Sequence, residues 1–209
     1  MRSVRGRGGL RRTGAVVAAI AIVVLVSGCA ELSTWMTTNW SENYARADYG
    51  TRATHPALID GKIATVAQTP PRADPRELEI EFPELRRIRR IRIINENLYR
   101  FRLDYWDEKR DDWRTLKTVW QRRDVEGEER VIQPIFDFKG INIETRRLRI
   151  VATRTVDDRI VAKTVPAPDD KVLDRVRQVV AGTWIEYYKI IVEAPARVRE
   201  VEVYGIAKK

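Results

Sequence analysis

The stretch ELEIEF, residues 77–82, decides the fold, because glutamates alternate strictly with leucine, isoleucine and phenylalanine. Successive side chains of a β-strand point to opposite faces, so this pattern gives one apolar and one charged face. The same period of two recurs in RFRLDY (100–105), RRLRIVA (146–152) and REVEVYG (199–205). Strands with one dry and one wet face are typical of antiparallel sheets that pack face to face. The sequence therefore predicts an all-β, antiparallel β-sandwich.

One segment departs from this period. In DDKVLDRVRQVVAG (169–182), Val172 is followed by apolar residues at spacings of one, four, seven and eight, which is a helical pattern. Asp169 or Asp170 can cap the start of such a helix, and Gly182 can cap its end. We therefore expect one helix, near residues 170–181, inserted in the β-sandwich.

Several blocks of the chain lie in the order of a known family. Residues 57–69, 77–95, 101–116, 143–153 and 199–205 resemble successive blocks of the discoidin, or coagulation-factor type C, domain. The resemblance covers most of residues 39–206 and implies a galactose-binding-like jelly roll, a fold that many bacterial carbohydrate-binding modules share.

Two features of this resemblance concern particular positions. Trp113 matches a tryptophan of the family and is expected in the core. The stretch from Val156 to Trp184, which contains the expected helix, is longer than the family's connection before the last strands.

The N-terminal segment has the layout of an export signal. Five arginines and no acidic residue precede the apolar run AVVAAIAIVVLV (15–26), which is too short to span a bilayer comfortably. The sequence Val26-Ser27-Gly28-Cys29 follows and resembles the bacterial lipobox, in which a peptidase cuts before the cysteine and lipid is attached to it. The alternatives are that Cys29 is a buried small side chain or that the apolar run is an uncleaved anchor.

This layout divides the chain into a signal peptide (1–28), a lipidated tether (29–38) and a sandwich domain (39–209). Several acyl chains on Cys29 make membrane attachment effectively permanent. We therefore expect a lipid-anchored protein of the bacterial cell envelope. Ala30 replaces the aspartate that retains some lipoproteins in the inner membrane, which favours the outer membrane.

The net charge argues against a nucleic-acid partner. Five of the 39 basic residues and none of the 30 acidic ones precede Cys29, so the basic excess of nine falls to four after cleavage. Recognition of nucleic acid requires a basic face on the folded domain. The basicity of the full chain is therefore largely a targeting signal.

The sequence offers little support for catalysis. His55 is the only histidine and Cys29 the only cysteine, and no phosphate-binding loop or nucleophile motif is present. The acidic pairs Asp107-Glu108 and Asp111-Asp112 are interpreted as parts of a solvated hairpin loop rather than as a source of two glycosidase carboxylates. We expect a protein that is not an enzyme.

The resemblance implies two candidate sites. Tyr49, Arg52 and His55 lie in the first long loop, at the edge where galactose-binding relatives hold their sugars. Asp60, Thr65 and Glu200 match positions at which the family often binds a structural Ca²⁺, an ion that takes six to eight oxygen ligands. The alternative for Asp60 and Glu200 is an ordinary Asp-Gly turn and a solvated strand residue.

Two functions follow from these features. The first is a non-catalytic, lipid-anchored module that binds glycan or another envelope component. The alternative is a structural envelope lipoprotein that docks onto a partner protein. A sugar binder should have an aromatic surface with hydrogen-bonding groups at one end of the sandwich. A docking protein should instead expose a contiguous apolar patch, such as the segment near residues 170–181.

Overall fold

Ten β-strands make up most of the residues described in the computed structural model, 38–121 and 132–207. Two short 3-10 helices, Ala47–Tyr49 and Pro56–Leu58, accompany them. In chain order the strands are β1 (Arg52–Ala53), β2 (Ala67–Gln68), β3 (Arg76–Asn95), β4 (Leu98–Asp107), β5 (Asp112–Trp120), β6 (Ile135–Thr155), β7 (Arg159–Lys163), β8 (Lys171–Val180), β9 (Thr183–Val192) and β10 (Arg197–Tyr204). From Ser41 onward these residues belong to one compact unit.

The two longest strands, β3 and β6, contribute to both layers of the sandwich. Residues 76–81 of β3 pair antiparallel with residues 147–152 of β6, and residues 86–94 pair with residues 135–145. The register shifts between these two runs, where Pro83 has no backbone N–H to donate. Each long strand therefore passes from one layer to the other near its middle.

The strand pairings define the two layers. The first layer has the order β1, early β3, late β6, β4 and β5. The second layer has the order β2, β10, late β3 and early β6. One end of the first layer, which we call the turn end, contains Pro83, the β4–β5 turn and Arg146. The opposite end, which we call the Asp158 end, contains Arg76 and Thr155.

A single apolar core lies between the layers. Its buried residues include Leu78, Ile80, Phe82, Phe101, Leu103 and Leu148 from the first layer, and Ile91, Ile93, Phe136, Val198, Val201 and Val203 from the second. Phe101 meets Phe136 edge to face across the layers, with ring centroids 5.0 Å apart. Burial of each large apolar side chain contributes about 1.5–3 kcal/mol. The antiparallel β-sandwich predicted from the alternating strands is confirmed.

The prediction of a helix near residues 170–181 is wrong, because this segment forms strand β8. β8 pairs with β9 through a two-residue turn, in which Ala181 and Gly182 have φ of 49° and 79°. Positive φ at both turn residues is the geometry that suits the twist of a hairpin. Gly182 therefore forms a hairpin turn rather than a helix cap, and the β-branched valines favour the strand.

β7, β9 and β8 form a separate three-stranded sheet in that order. Asp158, immediately before β7, attaches this sheet to the sandwich. Its carboxylate accepts hydrogen bonds from Nη1 of Arg76 at 2.8 Å, from the amide and hydroxyl of Thr155 at 3.0 and 2.8 Å, and from the amide of Ala194 at 2.9 Å. Burial alone would raise the pKa of Asp158, but these hydrogen bonds outweigh it and hold the pKa below its usual value.

Candidate functional site

A cleft of about 360 Å³ opens at the turn end, between the β4–β5 turn and the middle of β6. The half-buried ring of Tyr105 lines it together with the apolar side chains of Leu85 and Ile143. The remaining lining is polar or charged and consists of Arg87, Asp107, Glu108, Lys109, Asn142 and Glu144. An aromatic and aliphatic surface with hydrogen-bonding groups around it suits a small polar ligand that also has an apolar face.

The β4–β5 turn holds the acidic rim of this cleft in place. The backbone carbonyl of Asp107 accepts a hydrogen bond from the amide of Arg110 at 3.1 Å. Oδ1 of Asp107 accepts from the amide of Lys109, also at 3.1 Å. Oε1 of Glu108 accepts from the amide of Arg146 at 3.2 Å, which joins the turn to β6. The hairpin loop predicted over residues 107–112 thus also forms one wall of the cleft.

Two tryptophans and two arginines pack together on the outer face of the first layer. Trp106 and Trp113 are cross-strand partners, with ring centroids 5.4 Å apart and an interplanar angle of 79°. The guanidinium of Arg147 lies 3.9 Å from the Trp106 ring centroid, and that of Arg149 lies 4.2 Å from the Trp113 centroid. Trp113 is therefore half-buried beneath Arg149. The prediction that it belongs to the core is wrong.

The buried carboxylate of Asp104 holds Arg149, one of the arginines of this stack, in place. Asp104 is almost fully buried and accepts hydrogen bonds from Nε of Arg102 at 2.7 Å and Nε of Arg149 at 3.1 Å. Arg149 also pairs with Glu77 at 3.3 Å. Because Arg149 is fixed by two carboxylates, the ring of Trp113 beneath it has a defined position on this outer face.

The structure separates the three residues predicted to contact a sugar. Arg52, in β1, lines a smaller cleft of about 180 Å³ at the turn end, next to Arg146. The hydroxyl of Tyr49 donates to Oε2 of Glu42 at 2.5 Å. His55 precedes the second 3-10 helix, where its Nδ1 accepts from the amide of Ala57 at 3.3 Å. Neither Tyr49 nor His55 lines the cleft of Arg52 or that of Tyr105, and the ligand role of all three remains a prediction.

Asp60, Thr65 and Glu200, the residues predicted for an ion, do lie together. The hydroxyl of Thr65 donates to Oδ2 of Asp60 at 2.8 Å, and the amide of Lys62 donates to Oδ1 at 2.8 Å. The amide of Gly61 donates to Oε2 of Glu200 at 3.2 Å. The Asp-Gly turn and the start of β10 thus bring two carboxylates and a hydroxyl to one place.

The electrostatics of Glu200 fit a bound cation. The side chain is buried, and its Oε1 has no hydrogen-bond partner among the described residues. Burial, with the nearby charge of Asp60, raises the pKa of Glu200 to about 7. A cation would compensate this buried carboxylate, and carboxylate and hydroxyl oxygens are ligands that Ca²⁺ accepts. Within residues 38–121 and 132–207, no cluster of three or more histidine, cysteine or acidic side chains suited to a metal is found.

The predictions for the N-terminal segment fall outside the described residues. Cys29, the signal peptide over 1–28 and nearly all of the tether over 29–38 precede the described part of the chain. In the part that is described, no helix has the length and apolar character needed to cross a membrane.

The cleft of Tyr105 was not predicted from the sequence. Its lining comes from β3, β4, β6 and the β4–β5 turn, which are far apart along the chain. Tyr105 is part of a strand in which apolar and charged residues alternate. This alternation predicts that its side chain points toward the core, but it does not predict a cleft. The charged segment over residues 107–112 was the one local signal, because its acidic pairs at both ends marked an exposed hairpin loop.

The fold and the cleft define a small all-β sandwich module with a polar surface site. No protein-family model matches the sequence, and the comparison with curated proteins finds no match. Among solved structures, the chain is similar to a family 32 carbohydrate-binding module from Clostridium perfringens in complex with galactose. The identity is 14%, the TM-score is 0.46, and the match covers 78% of this chain and 98% of that one.

Two further solved structures are similar to the chain. One is a chitosan-binding module from a chitosanase/glucanase of Paenibacillus sp., with 15% identity, a TM-score of 0.47, and coverage of 79% of this chain and 100% of that one. The other is a family 89 glycoside hydrolase from Clostridium perfringens, with 11% identity and a TM-score of 0.49. That match covers 80% of this chain but only 15% of the hydrolase.

Proposed function

We propose that this protein is a non-catalytic binding module that recognises a carbohydrate of the bacterial cell envelope in the cleft of Tyr105. The proposal rests on one observation: the ring of Tyr105 and several hydrogen-bonding side chains line the same cleft. A sugar ring has an apolar face that can lie against Tyr105. Its hydroxyls can accept from Lys109 and Arg87 and can exchange hydrogen bonds with Asn142.

The shape of the cleft is consistent with weak binding at each site. It is open and shallow, so a single sugar buries little surface and the affinity of one copy is expected to be low. The sandwich holds the rim rigidly, so binding does not have to order it. Many copies on one membrane, facing a continuous polymer, would bind far more tightly than one copy through effective concentration.

Retention of the full chain on immobilised envelope polysaccharides tests this proposal. The double variant Asn142→Ala with Lys109→Ala should weaken retention about thirtyfold, because each of the two lost hydrogen bonds costs about 1 kcal/mol. Thr115→Ala with Lys117→Ala, at exposed positions of β5, serves as the matched control and should bind like the unaltered chain.

The same assay also tests the site predicted from the sequence. If the Asn142 and Lys109 variant binds normally while Arg52→Ala with His55→Ala loses binding, the sugar site belongs to the first loop. Normal binding by both variants would overturn the carbohydrate assignment at the turn end.

We further propose that Cys29 carries the lipid that anchors the protein in the envelope, with the outer membrane favoured. The support is the lipobox-like sequence at the end of the apolar run. Cys29→Ser should abolish incorporation of radiolabelled palmitate while the protein is still made. Persistent labelling of the variant would contradict lipidation at this residue.

A structural Ca²⁺ held by Asp60, Thr65 and Glu200 is part of the proposal. The support is the buried Oε1 of Glu200, which lacks a partner among the described residues. Because an ion that binds only the folded state adds stability by mass action, a chelator should lower the melting temperature and Ca²⁺ should restore it. Equal melting temperatures under both conditions would leave these residues as an ordinary turn and strand.

The alternative function, docking onto a partner protein, also has an observation in its favour. The β8–β9 hairpin exposes Val172, Leu173, Val179 and Trp184 in the segment where the sequence suggested an apolar patch. Recovery of one stoichiometric partner that is lost in a folded hairpin variant, with polysaccharide ignored, would favour this function over sugar binding.

A further inference from the structure

The end of the β8–β9 hairpin, residues 179–185, which we call the tip, exposes apolar side chains on both faces. Val179 and Trp184 are cross-strand partners on one face and are 50% and 72% exposed. Val180 and Ile185 follow them in the chain, so they lie on the opposite face, where they are 48% and 38% exposed. The tip therefore exposes apolar side chains on both of its faces, with Thr183 opposite Val180 on the second face.

Apolar exposure on two faces narrows the choice of partner. A flat protein surface covers one face of a two-stranded ribbon and leaves the other in water. A lipid layer that surrounds the ribbon removes both faces from water together. Tryptophan is enriched at the boundary between acyl chains and headgroups, where its ring is apolar and its N–H reaches water.

The charges near the tip fit an anionic headgroup layer. Residues 175–188 contain two basic side chains, Arg175 and Arg177, and a single acidic one, Glu186. Glu186 is already paired, since its carboxylate lies 2.6 Å from Arg175 and 2.9 Å from Arg177. This stretch therefore carries a net positive charge without an unpaired carboxylate.

The spacing of these residues matches the thickness of the headgroup region. Arg177 lies two residues from Val179 in β8, which is about 7 Å along a strand. The headgroup layer on each side of a bilayer is roughly 5–8 Å thick. When Val179 and Trp184 reach the acyl chains, the backbone at Arg177 therefore lies at the depth of the lipid phosphates, and Arg175 lies about 7 Å further out.

We propose that the tip inserts into the interfacial region of a bilayer with anionic headgroups, with Trp184 at the acyl boundary and Arg177 against the phosphates. The three-stranded sheet is attached at the Asp158 end, whereas the Tyr105 cleft lies at the turn end. Lipid contact at the tip therefore uses none of the residues that line the cleft, and the inference does not depend on sugar binding.

Quenching of tryptophan fluorescence by brominated lipid tests the insertion directly. The full chain is reconstituted in vesicles of phosphatidylethanolamine and phosphatidylglycerol, with and without dibrominated acyl chains. Trp184→Phe removes the reporter and keeps the tip apolar. Trp120→Phe is the matched control, because Trp120 is 71% exposed on the sandwich and Trp184 is 72% exposed on the tip.

Insertion predicts that Trp184→Phe loses a lipid-quenchable component of the fluorescence and that Trp120→Phe does not. Val180→Asp with Ile185→Asp should abolish this component at an unchanged melting temperature, since both side chains are exposed. Equal lipid quenching in the chain and in Trp184→Phe would overturn the proposal and leave the tip as a surface for a protein partner. Persistent quenching of Trp184 in the double aspartate variant would also overturn it.

Discussion

The early part of β3 and the whole of β8 are both strands rich in apolar residues, yet they differ in what covers them. In β3, Leu78, Ile80 and Phe82 are buried in the core and the glutamates between them face outward. In β8, no residue from Lys171 to Val180 is buried. A strand covered on one face keeps a strict period of two, whereas a strand exposed on both faces is free to place valines at any position.

The same contrast separates the two candidate contact surfaces. The turn end presents a cleft in which most lining groups are polar and the rim is fixed by backbone hydrogen bonds. The tip presents apolar side chains without a cleft around them. Hydrogen-bonding chemistry suits a sugar, and exposed apolar area suits lipid or protein, so the two regions are suited to different partners.

The largest expected effect is at the connection between the two regions. Asp158→Ala removes the nearer of the two carboxylates that pair with the buried Arg76, since Glu193 remains at 3.5 Å, and breaking a buried ion pair costs about 3–5 kcal/mol. Equilibrium unfolding in urea measures the loss. Asp169→Ala, at an exposed aspartate, is the control and should change stability by about 0.5 kcal/mol or less. A small effect at Asp158 would show that the three-stranded sheet is held mainly by packing.

The next effect concerns pH. Glu200 has a pKa of about 7 in the folded protein, against about 4.3 in an unfolded chain. The folded state therefore binds this proton more tightly, and in the presence of chelator stability should fall as pH rises from about 4 to about 7. Glu200→Gln should remove this part of the pH dependence of the melting temperature. An unchanged profile in the variant would mean that Glu200 is not the titrating group.

A smaller effect is expected in the tryptophan stack on the outer face of the first layer. Arg147→Ala removes the guanidinium above Trp106, which contributes about 1 kcal/mol when it is partly desolvated. The near-ultraviolet circular dichroism of the tryptophans should change with the loss of stability. Arg159→Ala, an exposed arginine in β7, should change neither quantity. An intact tryptophan signal in Arg147→Ala would contradict the contact between Arg147 and the Trp106 ring.

The smallest effect is expected at the tip. Val180→Ser should alter the free energy of unfolding by about 0.5 kcal/mol or less, because surface substitutions rarely do more. The same change at Val203, a fully buried core position, should cost several times more. Comparable losses at both positions would show that the tip packs against another part of the chain.

The sandwich was predictable because its strands have one buried face, and ELEIEF displays that directly. The β8–β9 hairpin was not predictable, because the valines of β8 also fit a helical spacing. Only the pairing of β8 with β9 shows that this segment is a strand. Asp60, Thr65 and Glu200 were grouped from the resemblance alone and lie together in the fold, and their role as ion ligands stays a prediction. The cleft of Tyr105 escaped prediction because Asn142 and Arg87 join it only through the pairing of β6 with β3.

Backbone hydrogen exchange of the full chain, with and without a saturating envelope polysaccharide that it retains, tests the central claim most directly. Carbohydrate binding in the Tyr105 cleft predicts slower exchange at residues 107–110 and 142–144, with residues 179–185 unchanged. Slower exchange confined to the first loop around Arg52 and His55, or to the tip, would contradict it.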